Sequence, residues 1–157
     1  MSRVRTPEEA AREREALRRE GRRVAFTNGC FEILHAGHVE LLERARAEAD
    51  FLIVAVNDDA SVRRLKGPER PVVPLEERLA VLGAVRFVDL LVPFPEDTPL
   101  RLVELLLPDV LVKGADWPLD GIVGREAVEA AGGRVVRVPL RPGVSTTELL
   151  RRARERR

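Results

Sequence analysis

Cysteine occurs once in this 157-residue sequence, lysine twice, and tyrosine and glutamine not at all. The lone Cys30 excludes an internal disulfide and suits a reducing compartment. No apolar run approaches the roughly 20 residues that a membrane-spanning helix needs. The first residues, SRVRTPEEAARERE, carry too much charge for a secretory signal. The expected location is therefore the cytoplasm, with no membrane partner. An excess of one charge sign is also missing, since the formal net charge is +1. Five arginines and one glutamate crowd into 151–157, leaving 22 cationic against 25 anionic residues elsewhere, a net −3. A slightly acidic body with a basic tail lacks the footprint of a nucleic-acid binder. Hydrophobic residues make up 45% of the chain, enough for a packed core and too many for a disordered one.

The scarcities also mark positions. Of 27 cationic side chains only Lys66 and Lys113 are lysines, the histidines are His35 and His38, and the asparagines are Asn28 and Asn57. A composition so poor in thermolabile residues looks like that of a thermophile or a GC-rich genome. Where it still spells His, Lys or Asn, the side chain itself is expected to matter.

A chain of this length fits one domain. Thr6-Pro7-Glu8-Glu9 is a capping box with proline at the first helical position, which predicts a helix over 7–20 that stops at Gly21. Its apolar stripe is thin, Ala10 and Leu17 with Glu13 and Arg14 between them, so a mostly exposed, partly frayed helix is expected. Residues 1–22 read as an N-terminal helical extension and 23–157 as the main domain. Short apolar strands are expected over 23–27, 51–56, 85–92, 110–112 and 134–138. Unbroken apolar runs such as 51–56 mark strands covered on both faces. Helices are expected over 38–49, 60–64 after the cap Asp59, 75–83, 99–107 after the cap Thr98, and 124–131. A last helix should begin near Ser145. Strands alternating with helices predict an α/β protein: a single doubly wound, Rossmann-like domain with a five-stranded parallel sheet and helices on both faces. Ligands of such sheets bind beyond the carboxyl ends of the strands.

Both histidines fall in Thr27-Asn28-Gly29-Cys30-Phe31-Glu32-Ile33-Leu34-His35-Ala36-Gly37-His38, where the first strand gives way to a helix. Free N–H groups and the dipole at a helix start favour an anion. Gly37 lets the backbone come close, and two imidazoles can donate to phosphate oxygens. Nucleotidyl transfer asks little more of a protein than positioning and charge stabilisation. Two other readings fit the same residues. One histidine could cap the helix while the other packs, or His35 and His38 could form half of a metal site with Cys30 or Glu32. Lys66-Gly67, in a loop after the second strand's helix, and Lys113-Gly114, ending the fourth strand, would face the same crevice. Lysine offers a phosphate a compact point charge. Ser145-Thr146-Thr147-Glu148 is a capping box, which accounts for Ser145 and Glu148 without a ligand. Its hydroxyls at a first helical turn also suit β- and γ-phosphates. Arg70 and Arg78 read as ordinary cations, Arg141 as a weak phosphate candidate, and Cys30 as a small buried hydrophobe.

The H-x-G-H box after a strand resembles that of the nucleotidyltransferase superfamily. The whole string resembles the heptose 1-phosphate adenylyltransferase branch, which typically reads T-N-G-C-F-D-x-L-H-x-G-H. The resemblance runs over about 24–150, through 56–62, 64–68 and 112–117 to 143–147. It implies that 23–157 form a nucleotidyltransferase domain that moves AMP from ATP to a sugar phosphate, heptose 1-phosphate in that branch, giving ADP-heptose and pyrophosphate. His35, His38, Lys66 and Lys113 would be catalytic. Thr27, Asn28, Gly29, Cys30, Phe31, Gly37, Ser145, Thr146 and Thr147 would hold the nucleotide. Glu32, Asn57, Asp116 and Trp117 are acceptor candidates. Mg²⁺ would ride on the triphosphate, with no metal ligand from the protein. The implied partners are ATP and a small phosphorylated sugar or polyol, with a homodimer possible and no nucleic acid. Three positions depart from the branch: Glu32 replaces the usual Asp, and Ala115 and Trp117 replace a common Gly and Tyr. Bifunctional members also carry a sugar kinase domain, absent from this sequence, so a separate enzyme is expected to supply the sugar phosphate. Two alternatives stand: a CTP-dependent cytidylyltransferase for glycerol 3-phosphate or another polyol phosphate, whose box usually begins G-T-F-D, and a nucleotide-binding sensor without turnover.

Overall fold

The computed structural model describes residues 3–156, so residues 1, 2 and 157 of the expected segments lie outside the described residues. Five strands form one parallel sheet: β1 Val24–Gly29, β2 Phe51–Asn57, β3 Leu90–Phe94, β4 Val110–Gly114 and β5 Arg134–Val138, in the order β3-β2-β1-β4-β5. The helices are α1 Pro7–Arg19, α2 Ala36–Ala47, α3 Asp59–Lys66, α4 Leu75–Gly83, α5 Leu100–Leu106, α6 Arg125–Ala130 and α7 Thr146–Glu155, with a 3₁₀ turn at Leu119–Gly121.

Successive side chains of a strand point to opposite faces, so an unbroken apolar strand feeds two cores. β2 sends Ile53 and Ala55 to the core shared with α1, α5 and α6. It sends Leu52, Val54 and Val56 to the core shared with α2 and α4. The chain thus changes faces as the sheet order reverses at the β1–β4 boundary, the place where doubly wound sheets bind ligands. The ladder is thinnest there. β1 pairs with β2 over six positions, Val24 to Gly29, but with β4 only at Ala25↔Val110 and Phe26↔Leu111. Beyond Phe26 and Leu111 the two strands part, and their carboxyl ends form the walls of a crevice.

Several boundaries differ from expectation. β3 begins at Leu90, because 85–89 turn tightly: Val88 N–H donates to Val85 O at 3.1 Å, and the Asp89 carboxylate accepts from Leu52 N–H at 2.8 Å. α2 starts two residues early, since His35 itself caps it. Asp58, not Asp59, caps α3, accepting from Ser61 N–H at 2.7 Å. α3 runs on to Lys66, which therefore ends a helix and does not lie in a loop. α5 begins at Leu100 with no side-chain cap, so Thr98 does not serve there. The capping box at Thr6 and Glu9 forms as expected.

The larger correction concerns α1. Ala10, Arg14 and Leu17 are buried, and the Arg14 guanidinium reaches across to α5. It donates to Leu106 O at 3.3 Å and Leu107 O at 3.0 Å, and pairs with Asp109 at 3.1 Å. Asp109 also accepts from Val24 N–H at 2.7 Å, so one carboxylate joins α1, the start of β1 and the loop before β4. The arginine satisfies orphan carbonyls of a helix end, and its stem completes the apolar stripe. Ahead of α1, Val4 forms a parallel bridge with Leu91, flanked by Leu91 N–H to Arg3 O and Arg5 N–H to Leu91 O, both at 2.9 Å.

Arg14→Ala should lower the unfolding free energy by about 2–3 kcal/mol, because it strands two carbonyls and one carboxylate. Urea unfolding measures this, and an unchanged midpoint would restore the frayed, exposed helix.

Candidate active site

The end of β1 supplies the floor of the crevice. Thr27 is fully buried, yet its Oγ1 has no hydrogen-bond partner, and neither has Asn28 Oδ1 or Nδ1 of His38. Buried polar atoms are nearly always paired, so three orphans in one place call for an account. All three residues line a cavity of about 200 Å³, with Lys66, Lys113, Asp116, Trp117 and Thr146 among the other walls. A second cavity of about 290 Å³ lies toward α3 and α5, lined by Asn57, Leu65, Thr98 and Pro99 among others. The two meet at Asn28, Gly29, Cys30, Lys66, Lys113 and Trp117.

The histidines are set by the helix start. His35 has extended backbone, and its Nδ1 accepts from His38 N–H at 3.3 Å, capping α2. An accepting Nδ1 carries no proton, so the neutral ring holds its proton on Nε2. His38 stacks on His35 with centroids 3.7 Å apart at 17°, and meets the Phe31 ring edge-on at 5.1 Å. Gly37 makes room for this pair, since a Cβ there would lie 3.1 Å from two atoms of the His35 ring. Phe31 adopts φ 47, a conformation that side chains rarely take, and its ring packs 3.1 Å from where a Gly29 Cβ would stand. Burial pushes both imidazoles down, and His38, also facing the charges of His35 and Lys66, falls to about 4. Both rings are therefore neutral N–H donors near pH 7, and an anion arriving beside them would draw protons back.

The cations differ in kind. Lys113 stands half-buried at the end of β4 with its ammonium 5.5 Å from the Trp117 ring centre. Burial lowers it to about 8, partly offset by Asp116, and a bound phosphate would restore its full charge. Lys66 is more exposed and pairs with Glu32 at 3.0 Å. Glu32 is buried, and Arg70 grips it with two bonds of 2.6 Å. Burial would raise this carboxyl, but the bonds from Arg70 and Lys66 outweigh it and hold Glu32 below the ordinary range.

The crevice thus brings together Thr27, Asn28, Gly29, Cys30, Phe31, His38, Lys66, Lys113, Asp116, Trp117 and Thr146. His35 and Gly37 support it from the turn below. Asn57 faces the second cavity but gives its amide to Ser61 Oγ at 3.2 Å and Glu96 O at 3.3 Å. Ser145 caps α7, accepting from Glu148 N–H at 3.1 Å, while the Glu148 carboxylate turns away to Arg151 and Arg152. The capping box expected there is half made. Thr147 opens onto a separate groove that Lys66 and Arg70 also line. Arg141 pairs with Glu40, away from the cavities. Among the described residues no three His, Cys, Asp or Glu side chains cluster as metal ligands would.

Arg78, which reads as an ordinary cation in the sequence, is like Arg70 tied into the site. Only 2% exposed, it donates to Cys30 O at 2.5 Å, Asn57 O at 2.9 Å and Val73 O at 3.0 Å, and pairs with Asp59 at 2.7 Å. It ties the carboxyl ends of β1 and β2 to the loop before α4. Its signal was available: Leu75, Arg78, Leu79 and Leu82 share the buried face of a helix, and an arginine on such a stripe has something to bond.

A histidine held near 4 in the fold but near its ordinary value when unfolded binds its proton first in the unfolded chain. Stability is therefore intact above pH 6.5 and falls as pH drops toward 4. His38→Gln should lessen the loss between pH 7 and pH 5 by about 2 kcal/mol in urea unfolding. Equal losses in both proteins would contradict the buried, neutral imidazole.

The cytidylyltransferase-like family model matches residues 26–152. The bifunctional protein HldE of Gluconacetobacter diazotrophicus is 58% identical over 154 residues, which are 98% of this chain and 31% of that protein. HldE of Halorhodospira halophila is 59% identical over 136 residues, 87% of this chain and 28% of the relative. The chain therefore spans less than a third of the length of these curated relatives. Among solved structures, the lipopolysaccharide core biosynthesis protein from Thermoplasma volcanium superposes with a TM-score of 0.64 at 26% identity, over 77% of this chain and 98% of that one. Pantothenate synthetase from Thermus thermophilus gives 0.58 at 27% identity, over 87% and 61%. With its parallel sheet in the order β3-β2-β1-β4-β5, its stacked histidines at the β1–α2 turn and a match over 26–152, the chain belongs to the cytidylyltransferase-like family.

Proposed function

We propose that this domain transfers AMP from ATP to heptose 1-phosphate, giving ADP-heptose and pyrophosphate. The observation that carries the reading is the convergence of Thr27 Oγ1, Asn28 Oδ1 and His38 Nδ1, buried and unpaired, with Lys66 and Lys113 on one cavity where β1 and β4 part. Two ammonium groups, two imidazoles and the start of a ten-residue helix suit a triphosphate. The choice of ATP and a heptose phosphate rests on the Thr27–His38 string and on relatives that share over half of the residues.

In this reading a phosphate oxygen of the acceptor attacks the α-phosphorus in line. The new P–O bond forms as the bond to the β-phosphate oxygen breaks, and pyrophosphate carries the electron pair away. An acceptor phosphate is already ionised, so the protein needs no strong base. Its part is to hold the phosphates and neutralise charge as it shifts. His35 and His38 donate N–H groups, Lys113 serves the reacting phosphates, and Lys66 with Thr146 and Thr147 serves the leaving group. The acceptor occupies the second cavity, where Trp117 and Asn57 form part of the wall. Mg²⁺ fits as a passenger of the triphosphate, because the buried carboxylate Glu32 is already taken by two cations. Bound there, it would screen the phosphate charges. The same reading places the enzyme in the cytoplasm.

A matrix of ATP and CTP against heptose 1-phosphate, other sugar phosphates and glycerol 3-phosphate, read by pyrophosphate release, tests the proposal. ATP with the heptose phosphate should give the highest kcat/KM. CTP with glycerol 3-phosphate in first place would make it a polyol-phosphate cytidylyltransferase, and no release with any pair would make it a sensor.

His35→Ala and His38→Ala should each cut kcat by ~10²–10³, the usual effect of losing one preorganised donor. Lys113→Arg should not restore activity lost in Lys113→Ala, because a planar fork does not occupy the place of a point charge. Wild-type turnover by either histidine variant would remove the phosphate role of the pair.

A further inference from the structure

Glu32 has no free oxygen to offer an acceptor. Its side chain is wholly shielded from solvent, Arg70 occupies both oxygens at 2.6 Å, and Lys66 adds a third contact at 3.0 Å. The two cations are not equivalent. Arg70 is mostly buried and makes the fork that suits a carboxylate, so it alone keeps Glu32 paired. Lys66 makes a single contact from a side chain 37% exposed, at the last residue of α3. Among the described residues, Lys66 is also the one common to the walls of both crevice cavities and the groove beside α7.

We propose that Glu32 is a positioning residue that parks Lys66 at the meeting point of the three cavities, and that an incoming triphosphate takes Lys66 from it. The inference rests on the nucleotidyltransferase reading above. The ammonium exchanges one carboxylate oxygen for phosphate oxygens bearing more charge, and Glu32 keeps the Arg70 fork, so no buried charge is left alone. In the ligand-free protein the parked pair competes with the nucleotide. It also keeps the lysine from folding back on solvent, so that it reaches the phosphates from a fixed direction. In this chain Glu32 spans Arg70 and Lys66 at once, and an aspartate, one methylene shorter, would retract from one of them on this backbone.

A purely structural Glu32 and a parking Glu32 differ in sign. Loss of a structural residue can only weaken nucleotide binding. Loss of a competitor strengthens it while the misdirected lysine slows turnover. Mg·ATP is titrated calorimetrically into the wild type, Glu32→Gln, Lys66→Ala and the double variant, with circular dichroism verifying each fold. Glu32→Gln should tighten Kd roughly twofold to fivefold, the range of one released and partly exposed ion-pair partner. Its kcat should fall, so that affinity and turnover move in opposite directions. In the Lys66→Ala background the tightening should vanish, since the released group is absent. Glu32→Asp should show the same sign and decides the matter if Glu32→Gln does not fold. Weaker binding in the Glu32 variants, or tightening that persists without Lys66, overturns the proposal and leaves the nucleotidyltransferase reading standing. Wild-type protein that binds no nucleoside triphosphate overturns both.

Discussion

The guanidinium of Arg78 sits where β1 and β2 end, α3 begins and the loop into α4 passes, and the geometry of the crevice depends on it. Its bonds to Cys30 O, Asn57 O and Val73 O, with the ion pair to Asp59, fix the carboxyl ends of β1 and β2 and the loop that enters α4. Cys30 O lies just past the last ladder position of β1, Asn57 O at the last of β2 and Val73 O in a loop, where the sheet does not satisfy every carbonyl. A planar group with five donors can serve several acceptors in fixed directions, which an ammonium cannot. Because Cys30 is held this way, the next residue turns into its left-handed conformation and delivers Glu32 to Arg70 and the histidines to α2.

Charge in the crevice is arranged in tiers. The carboxylates of Asp59 and Glu32 lie behind it, each bound to a buried or mostly buried arginine. In front stand groups whose protonated forms burial disfavours: two imidazoles, neutral near pH 7, and Lys113, lowered to about 8 and still largely charged. A site in this condition gains positive charge as an anion enters, because every lowered group is drawn back toward protonation.

Most of the architecture was readable in the chain, because a run such as 51–56 can be little else than a strand covered on both sides. The string from Thr27 to His38 likewise pointed to the crevice. What escaped reading has a common physical origin. Arg14 and Arg78 each stand on the apolar stripe of a helix, where a charged letter reads as an interruption although its stem packs and its head bonds carbonyls from other elements. The start of α2 was misplaced because an imidazole replaces the usual hydroxyl or carboxylate as cap. The tie of Glu32 to Arg70 joins positions 38 residues apart through a turn, and no local pattern reports such a pairing. The parting of β1 from β4 is equally non-local, since it depends on register and twist.

The bridge between Val4 and Leu91 bears on how these molecules behave in a crowd. A sheet edge with unpaired backbone groups is a template on which another chain can add a strand and start an aggregate. Here the chain lays its own N-terminal segment along β3, so that edge is already in use. The opposite edge, β5, carries the exposed arginines Arg134 and Arg137, whose bulk and like charge oppose a second copy aligned against the first. Trimming the first few residues would leave every crevice contact in place and yet uncover a sticky border.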